Sequence, residues 1–442
     1  MKPKIIFVNH ASVLFSYGKI NLITDPWLFG SAFNNSWDLI SESKLDISEF
    51  KNITHIWFSH EHPDHFFPFV LNKIPENFRK KIQVYFQDTL DHRVAQKCKE
   101  LGFQVIEMKH GKFYDLTDDF KIMCKPYMLY DSWLYLQIGD KKILNLNDCG
   151  VDSRTQASFI HKKIGDVDLL LTQFGYAAHI GDPDDVNLRK TASEEKLQRI
   201  KIQCEVFKPK YVIPFASFIR FSHIDNMYMN DQVNKIGDVE NFIKNNTIAK
   251  PLILYPGDEW DLTSNHENMD AIQKYEKDFM TDFVPHKDSI SLNLDQLAEL
   301  SSGYIEKIKS RNSWFMIKLF HKLGFFKTAE IFLKDIEKCV SFDLINGLLL
   351  SETQKNNADI ITDSDSLAFA FKFDYGADTL LANARFRRSG GRTMKFFRLF
   401  MIGTLNNNGR TFPFGIVGFL LREKSMWKSL FVEAILGNYE FK

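Results

Sequence analysis

The run Trp57-Phe58-Ser59-His60-Glu61-His62-Pro63-Asp64-His65-Phe66 decides how this chain is read. An apolar strand ends here and delivers three histidines and a carboxylate within six residues. Neutral imidazole nitrogens and carboxylate oxygens are the donors that converge on a metal ion, at about 2.0–2.2 Å. His60 and His62 are two apart, so on locally extended backbone both side chains point the same way. Pro63 bends the chain after them, which lets Asp64 and His65 face a neighbouring ion. A lone histidine at a strand end is ordinarily a surface residue, whereas three with an aspartate at this spacing read as ligands of a metal centre.

Outward from that run, the 442 residues carry 56 Lys+Arg against 56 Asp+Glu and 44% apolar residues, with 22 Gly and 13 Pro. This is the composition of a folded globular protein, long enough for two or three domains of about 150 residues. The balanced charge removes the broad electrostatic case for nucleic acid. Cys98, Cys124, Cys149, Cys204 and Cys339 are scattered and never form a CxxC pair, so they read as reduced thiols of a cytoplasmic protein. No secretory signal opens the chain. The longest apolar runs, such as Phe412 to Leu421, fall short of the roughly 20 residues that cross a bilayer, so no transmembrane segment is expected.

From Lys4 to Leu262 short β-rich runs, among them Ile5–Val8, Asn21–Thr24, His55–Phe58, Lys142–Asn147, Leu169–Thr172, Tyr211–Pro214 and Leu252–Tyr255, alternate with helical patterns. That rhythm predicts α/β architecture with packed sheets under helices. Several runs end abruptly in polar residues, where a rigid scaffold presents loops for chemistry. The polar stretch 263–290 reads as a linker helix, and 291–442 as a smaller α+β accessory domain. In that domain Leu294 to Lys338 has a helical period, with Leu297, Leu300, Tyr304 and Ile308 on one face, and strand-like alternation resumes after Cys339.

The HxHxDH pattern behind an apolar strand resembles the signature of the metallo-β-lactamase fold superfamily. The resemblance implies an αββα sandwich over residues 1–262 and a dinuclear centre. Thr24-Asp25-Pro26-Trp27 is similar to the segment whose Asp lies under the metals, and Lys142–Cys149 to the strand whose terminal Asp, here Asp148, bridges them. A narrower resemblance, to the catalytic portion of CMP-N-acetylneuraminate hydroxylase, rests on five segments in the same order. They are Thr24–Phe33, Ser59–Phe66, Lys142–Cys149, Ile213–His223 and Tyr255–Leu262. That hydroxylase also has a Rieske iron-sulfur domain with Cys-x-His pairs. No such pair stands in these residues, so an oxygenase reading implies electrons from a separate protein.

The chain departs from the superfamily pattern at two ligands. Where a third-site His is usual, the sequence reads Lys125–Ser132, with Tyr127 nearest the expected position; His110 is the alternative. The last ligand, commonly a His after a Pro-Met strand end, is absent from Pro214-Phe215-Ala216-Ser217, and His223 is the expected replacement. His10, after the first strand, is either a hydrogen-bonding partner of the ligands or a core histidine satisfied by backbone. His179 lies on a Gly-containing loop, lining the substrate pocket or plain surface. Arg385, Arg387, Arg388, Arg392, Lys395 and Arg398 form a basic cluster, read either as an anion-binding patch through Arg387 and Arg388 or as a face balanced by acids from elsewhere. The stretch before it is weakly similar to sterol-carrier-type domains.

Three functions compete. A hydrolase would use two divalent ions, zinc, iron or manganese, on His60, His62, Asp64, His65, Asp148 and His223 to activate water for attack on a small, phosphate-bearing or nucleotide-sugar-like substrate, with Asp64 handling the proton. An iron-dependent oxygenase would use the same ligands, since mixed His and carboxylate ligation suits iron as well as zinc. A binding module on a degenerate scaffold is the third. The sequence slightly favours hydrolysis.

Overall fold

In a computed structural model, described for residues 2–128, 130–287, 290–389 and 392–415, two seven-stranded sheets lie face to face. The chain after 415, including most of the Phe412–Leu421 run, lies outside the described residues. Six strands position the site: β1 (Lys4–Asn9), β2 (Ile20–Thr24), β3 (His55–Phe58), β4 (Lys141–Asn145), β5 (Leu169–Gln173) and β6 (Tyr211–Phe215). β1, β2 and β3 belong to the first sheet, where β2 and β3 pair in parallel; β4, β5 and β6 pair in parallel in the second. Parallel neighbours need crossovers, which the helices provide, and this is why helices cover both outer faces.

One core joins the two sheets, from Ile5, Phe7 and Trp57 on the first to Leu134, Ile143 and Leu170 on the second. The opposite residues of the first sheet, Val8, Ile23, Ile56 and Phe58, pack on a second cluster with Val70, Leu71 and Cys98 of its covering helices. This alternation along each strand produces a helix–sheet–sheet–helix sandwich. The stretch 263–290 contains the helix Met269–Met280, whose Ala271, Ile272 and Tyr275 join the same core as Trp57 and Leu170. Leu252–Tyr255 is not a strand; the pairing there is limited to Lys250–Pro251. All five cysteines are buried free thiols, and no helix among the described residues is long and apolar enough to cross a membrane.

A separate core follows, built from a five-stranded sheet and the helices Leu294–Arg311, Ser364–Lys372 and Met394–Asn407. Leu297, Tyr304 and Ile308 face inward as the helical period predicts, and Leu300 is half-buried against them. The helical reading extends too far, however. Ala329–Leu333 is a strand, because Ala329, Ile331 and Leu333 alternate inward with period two. The two parts meet over a polar seam whose centre is Arg385, with a fully buried side chain. Its guanidinium donates to the Asn34 carbonyl at 3.2 Å and lies 3.4 Å from Asp363 and 3.7 Å from Asp365. Removing one partner of a buried ion pair strands the other, at a cost of about 3–5 kcal/mol. Arg385→Met should therefore lower the unfolding free energy, read from a denaturant titration, by that order; an unchanged value would show that the seam contributes no stability.

Candidate metal centre

The floor of the site is assembled from strand ends that turn sharply. His10 after β1, Asp25 after β2, Asn147 after β4 and Ala216 after β6 all have positive φ, between 37° and 52°. Such residues are uncommon outside glycine and concentrate where side chains must be re-aimed. The Ala216 N–H donates to the His10 carbonyl at 2.8 Å, tying the end of one sheet to the end of the other.

Asp25, fully buried, organises the histidines from beneath. It accepts from the Ser59 N–H and hydroxyl, both at 2.8 Å, from His65 Nδ1 at 3.0 Å and from Asn147 Nδ2 at 2.8 Å. With its proton given to Asp25, the Ser59 hydroxyl accepts from His60 Nδ1 at 2.9 Å. Both rings thereby present Nε2 to the cavity, the way a carboxylate behind an imidazole fixes a ligand's tautomer and direction. His60 Nε2 faces His62 Nδ1 at 2.9 Å, and His65 Nε2 lies 3.2 Å from Asp64 Oδ2 and 3.3 Å from Asp148 Oδ2.

His10 comes to the same place. Its Nε2 is 3.4 Å from Asp64 Oδ2, and His10, Asp64 and His65 form one compact ligand group beside a second made of His60, His65 and Asp148. Neither ring nitrogen of His10 makes a hydrogen bond to the described residues, so the ring joins the ligand cluster rather than being satisfied by backbone. Asp131, which the sequence reading passed over, stands 3.7 Å from His60 Nε2 and lines the same cavity as His62, Asp64 and Asp148. Its position, just before the strand Ser132–Ile138 and inside the stretch searched for a third histidine, was the available signal.

Other expected residues lie elsewhere. The Tyr127 hydroxyl donates to the Gly150 carbonyl at 2.7 Å within the core, and burial raises its pKa well above the usual tyrosine range. His110 bonds the Asp88 carbonyl at 2.8 Å. His223 stands outside both ligand groups, beside Asn226 at the seam, where Asn226 donates to the Ser36 and Asn383 carbonyls. His179 stacks on Phe386 with ring centroids 4.2 Å apart. Arg387 donates to the Asp225 carbonyl and covers the Tyr228 ring, and Arg388 pairs with Asp182 and Asp185. These three side chains join the two parts of the chain; Asp182 and Asp185 of the first part balance Arg388, while Asp363, Asp365 and Asp359 of the second part balance Arg385 and Lys395.

The donor set fits metal. Burial, with the neighbouring imidazoles, lowers the His60 pKa well below its usual value, and burial lowers that of His62, so both rings are in the neutral, ligating form. Burial and the adjacent Asp148 push the Asp131 carboxyl up to about 8, a group that needs a cation before it will ionise at neutral pH. Asp64 Oδ1 and His65 Nε2, both buried, have no hydrogen bond to the described residues. His60, His62 and Asp131 can hold one ion and Asp64, His65 and His10 a second, with Asp148 between them.

No family model matches the chain. Among curated proteins it is similar to the inactive cytidine monophosphate-N-acetylneuraminic acid hydroxylase of Homo sapiens, 25% identical over 281 residues that cover 59% of this chain and 54% of that protein. The hydroxylase of Gorilla gorilla gorilla is 25% identical over the same length, 59% of this chain and 45% of that protein. The chain spans about half the length of the curated relatives it matches. Among solved structures it superposes on CmlA, a diiron β-hydroxylase from Streptomyces venezuelae, at 15% identity over 57% of this chain and 53% of that one, with a TM-score of 0.39. It also superposes on an isothiocyanate hydrolase from Delia radicum gut bacteria, at 13% identity over 58% and 98%, with a TM-score of 0.44.

The fold is an αββα sandwich, the architecture that the resemblance to the metallo-β-lactamase fold implies. Its HxHxDH loop follows β3 and is backed by the buried Asp25. His62→Ala and Asp131→Asn should each reduce bound metal, measured by elemental analysis, while far-UV circular dichroism stays unchanged; full metal content in both would remove these residues from the centre. Because Asp131 holds its proton below about pH 8 and a metal must displace it, metal affinity should rise with pH up to about 8 and level off above it. In Asp131→Asn that rise should flatten.

Proposed function

We propose that the chain is a dinuclear metal enzyme acting on a small molecule, and that its centre takes iron and supports oxygen-dependent hydroxylation, with electrons from a donor outside these 442 residues. The observation that carries the choice is Asp131. Where the sequence reading looked for a histidine, a carboxylate borders His60 and brings the oxygen donors to three, with Asp64 and Asp148. Hard oxygen ligands beside imidazoles favour iron or manganese over zinc, and this moves the balance away from the hydrolysis that the sequence slightly favours. The Gorilla gorilla gorilla relative, named as a hydroxylase, supports the same reading over 281 residues, while the Homo sapiens one is named as inactive.

Bound iron would supply oxygen activation. This chain's own residues do the rest: Asp25 and Ser59 hold His65 and His60 in one tautomer, and the cavity that Asp148 lines seats the substrate beside them. The balance is one C–H bond and one O2, with two electrons and two protons, giving one C–OH and one water. The two electrons require a reduced electron-transfer protein.

The test is elemental analysis of protein purified without added metal, followed by oxygen uptake with a chemical reductant. About two irons per chain with oxygen uptake is the expected result. Zinc or manganese with no oxygen uptake would overturn it in favour of hydrolysis by metal-activated water, and the search would turn to phosphoesters, lactones and amides.

A further inference from the structure

The cavity over the candidate centre, about 630 Å³, has two unlike walls. One carries His62, Asp64, Asp131 and Asp148; the facing one belongs to α1 (Val186–Phe207) and presents Lys196 and Arg199. Three residues apart on a helix, these two side chains share a face. Lys196 Nζ donates to Gln173 Oε1 at 2.6 Å, and Gln173, buried at the end of β5, donates through Nε2 to Asp148 Oδ1 at 3.2 Å. One amide therefore separates the ammonium from the carboxylate expected between the metals, and that amide fixes where the ammonium sits.

Arg199 pairs with Asp152 through Nε. Glu195 and Asp152 are the other acids of this wall. Burial and the neighbouring Arg199 bring the Lys196 pKa down to about 7, opposed by Asp148, Asp152 and Asp131. Metal ions on the centre would take up the charge of Asp131 and Asp148, leaving the ammonium short of acidic partners. A half-buried cation held in that way is completed by an anion that enters with the substrate.

We propose that Lys196, with Arg199 one turn further on, binds the oxyanion of the substrate, a phosphate or carboxylate group, and holds the remainder of the molecule over the metal centre. This rests on reading that centre as a metal site and adds to it the charge class of what it processes. Gln173 is the positioning residue that sets the distance between anion and metals.

Sulfate is the probe, because its charge is constant across the pH range around neutrality. Its affinity for the metal-loaded full chain should be measured by calorimetry, alongside Lys196→Met and Lys196→Arg. We expect Lys196→Met to weaken sulfate about tenfold, with metal content and thermal midpoint unchanged, and Lys196→Arg to retain it. In the metal-free chain wild-type binding should weaken as the pH rises through about 7, and Lys196→Arg should remove that loss, since a guanidinium stays charged. Equal sulfate affinity in wild type and Lys196→Met, both fully metal-loaded, would overturn the proposal, as would the absence of sulfate binding by the wild type. If the wild type took up no metal, the metal reading would fail instead. The same variants compared without metal would still decide whether Lys196 binds the anion.

Discussion

The buried carboxylate of Asp25 is the constraint on which the site depends. A fully desolvated aspartate survives only if its lone pairs are filled, and four donors fill them: the Ser59 N–H and hydroxyl, His65 and Asn147. Those donors come from two sheets. Asp25 and the Ser59–His65 loop hang from β2 and β3, and Asn147 follows β4 across the sandwich. The same bonds that satisfy the charge thus fix the distance between the histidine loop and Asp148, one residue beyond Asn147. Stability and ligand geometry are set by one group.

The left-handed turns at His10, Asp25, Asn147 and Ala216 belong to this arrangement. A strand continuing straight would carry its side chains past the cavity; a turn at its last residue aims them into it. Backbone strain of this kind persists only where packing over-determines it. Here Phe7, Ile23, Leu146 and Phe215, all inaccessible to solvent, pin the strands immediately before the turns.

The histidine loop was legible because its information is local: His60, His62, Asp64 and His65 sit at a spacing that only a few chemistries use. β3, β4 and β5 were legible because strands buried on both faces read as continuous apolar runs. Asp131 was not legible, because its role comes from a tertiary approach to His60 and no short-range pattern marks it. Lys196 and Arg199 were hidden for the same reason inside a 22-residue helix of mixed character. The hairpin Phe113–Thr117 and Phe120–Pro126 was missed because its outer strand is polar on one side and partly exposed. The basic cluster shows the converse: Arg387 and Arg388 look like free cations in one dimension, and their carbonyl and carboxylate partners lie 162 and 203 residues away.

The second part of the chain reaches the histidine loop itself. The Tyr375 hydroxyl donates to Oε1 of Glu61, the residue between His60 and His62, at 2.7 Å, and Arg93 reaches Tyr375, Asp374 and the Asn407 carbonyl, the last at 2.9 Å. Ala382 of the same part lines the cavity, and Tyr130, packed edge-on against Tyr375, lies 5.7 Å from the His62 ring. Of the loop's two sides, Asp25 therefore braces one from within the sandwich, while Tyr375 braces the other from outside it. His62, which among the described residues has no counterpart to the Ser59 and Asp25 bonds that orient His60 and His65, is the candidate ligand most exposed to that outer brace. The C-terminal part is in this sense a wall of the site, and its packing bears on how rigidly His62 is presented to a metal.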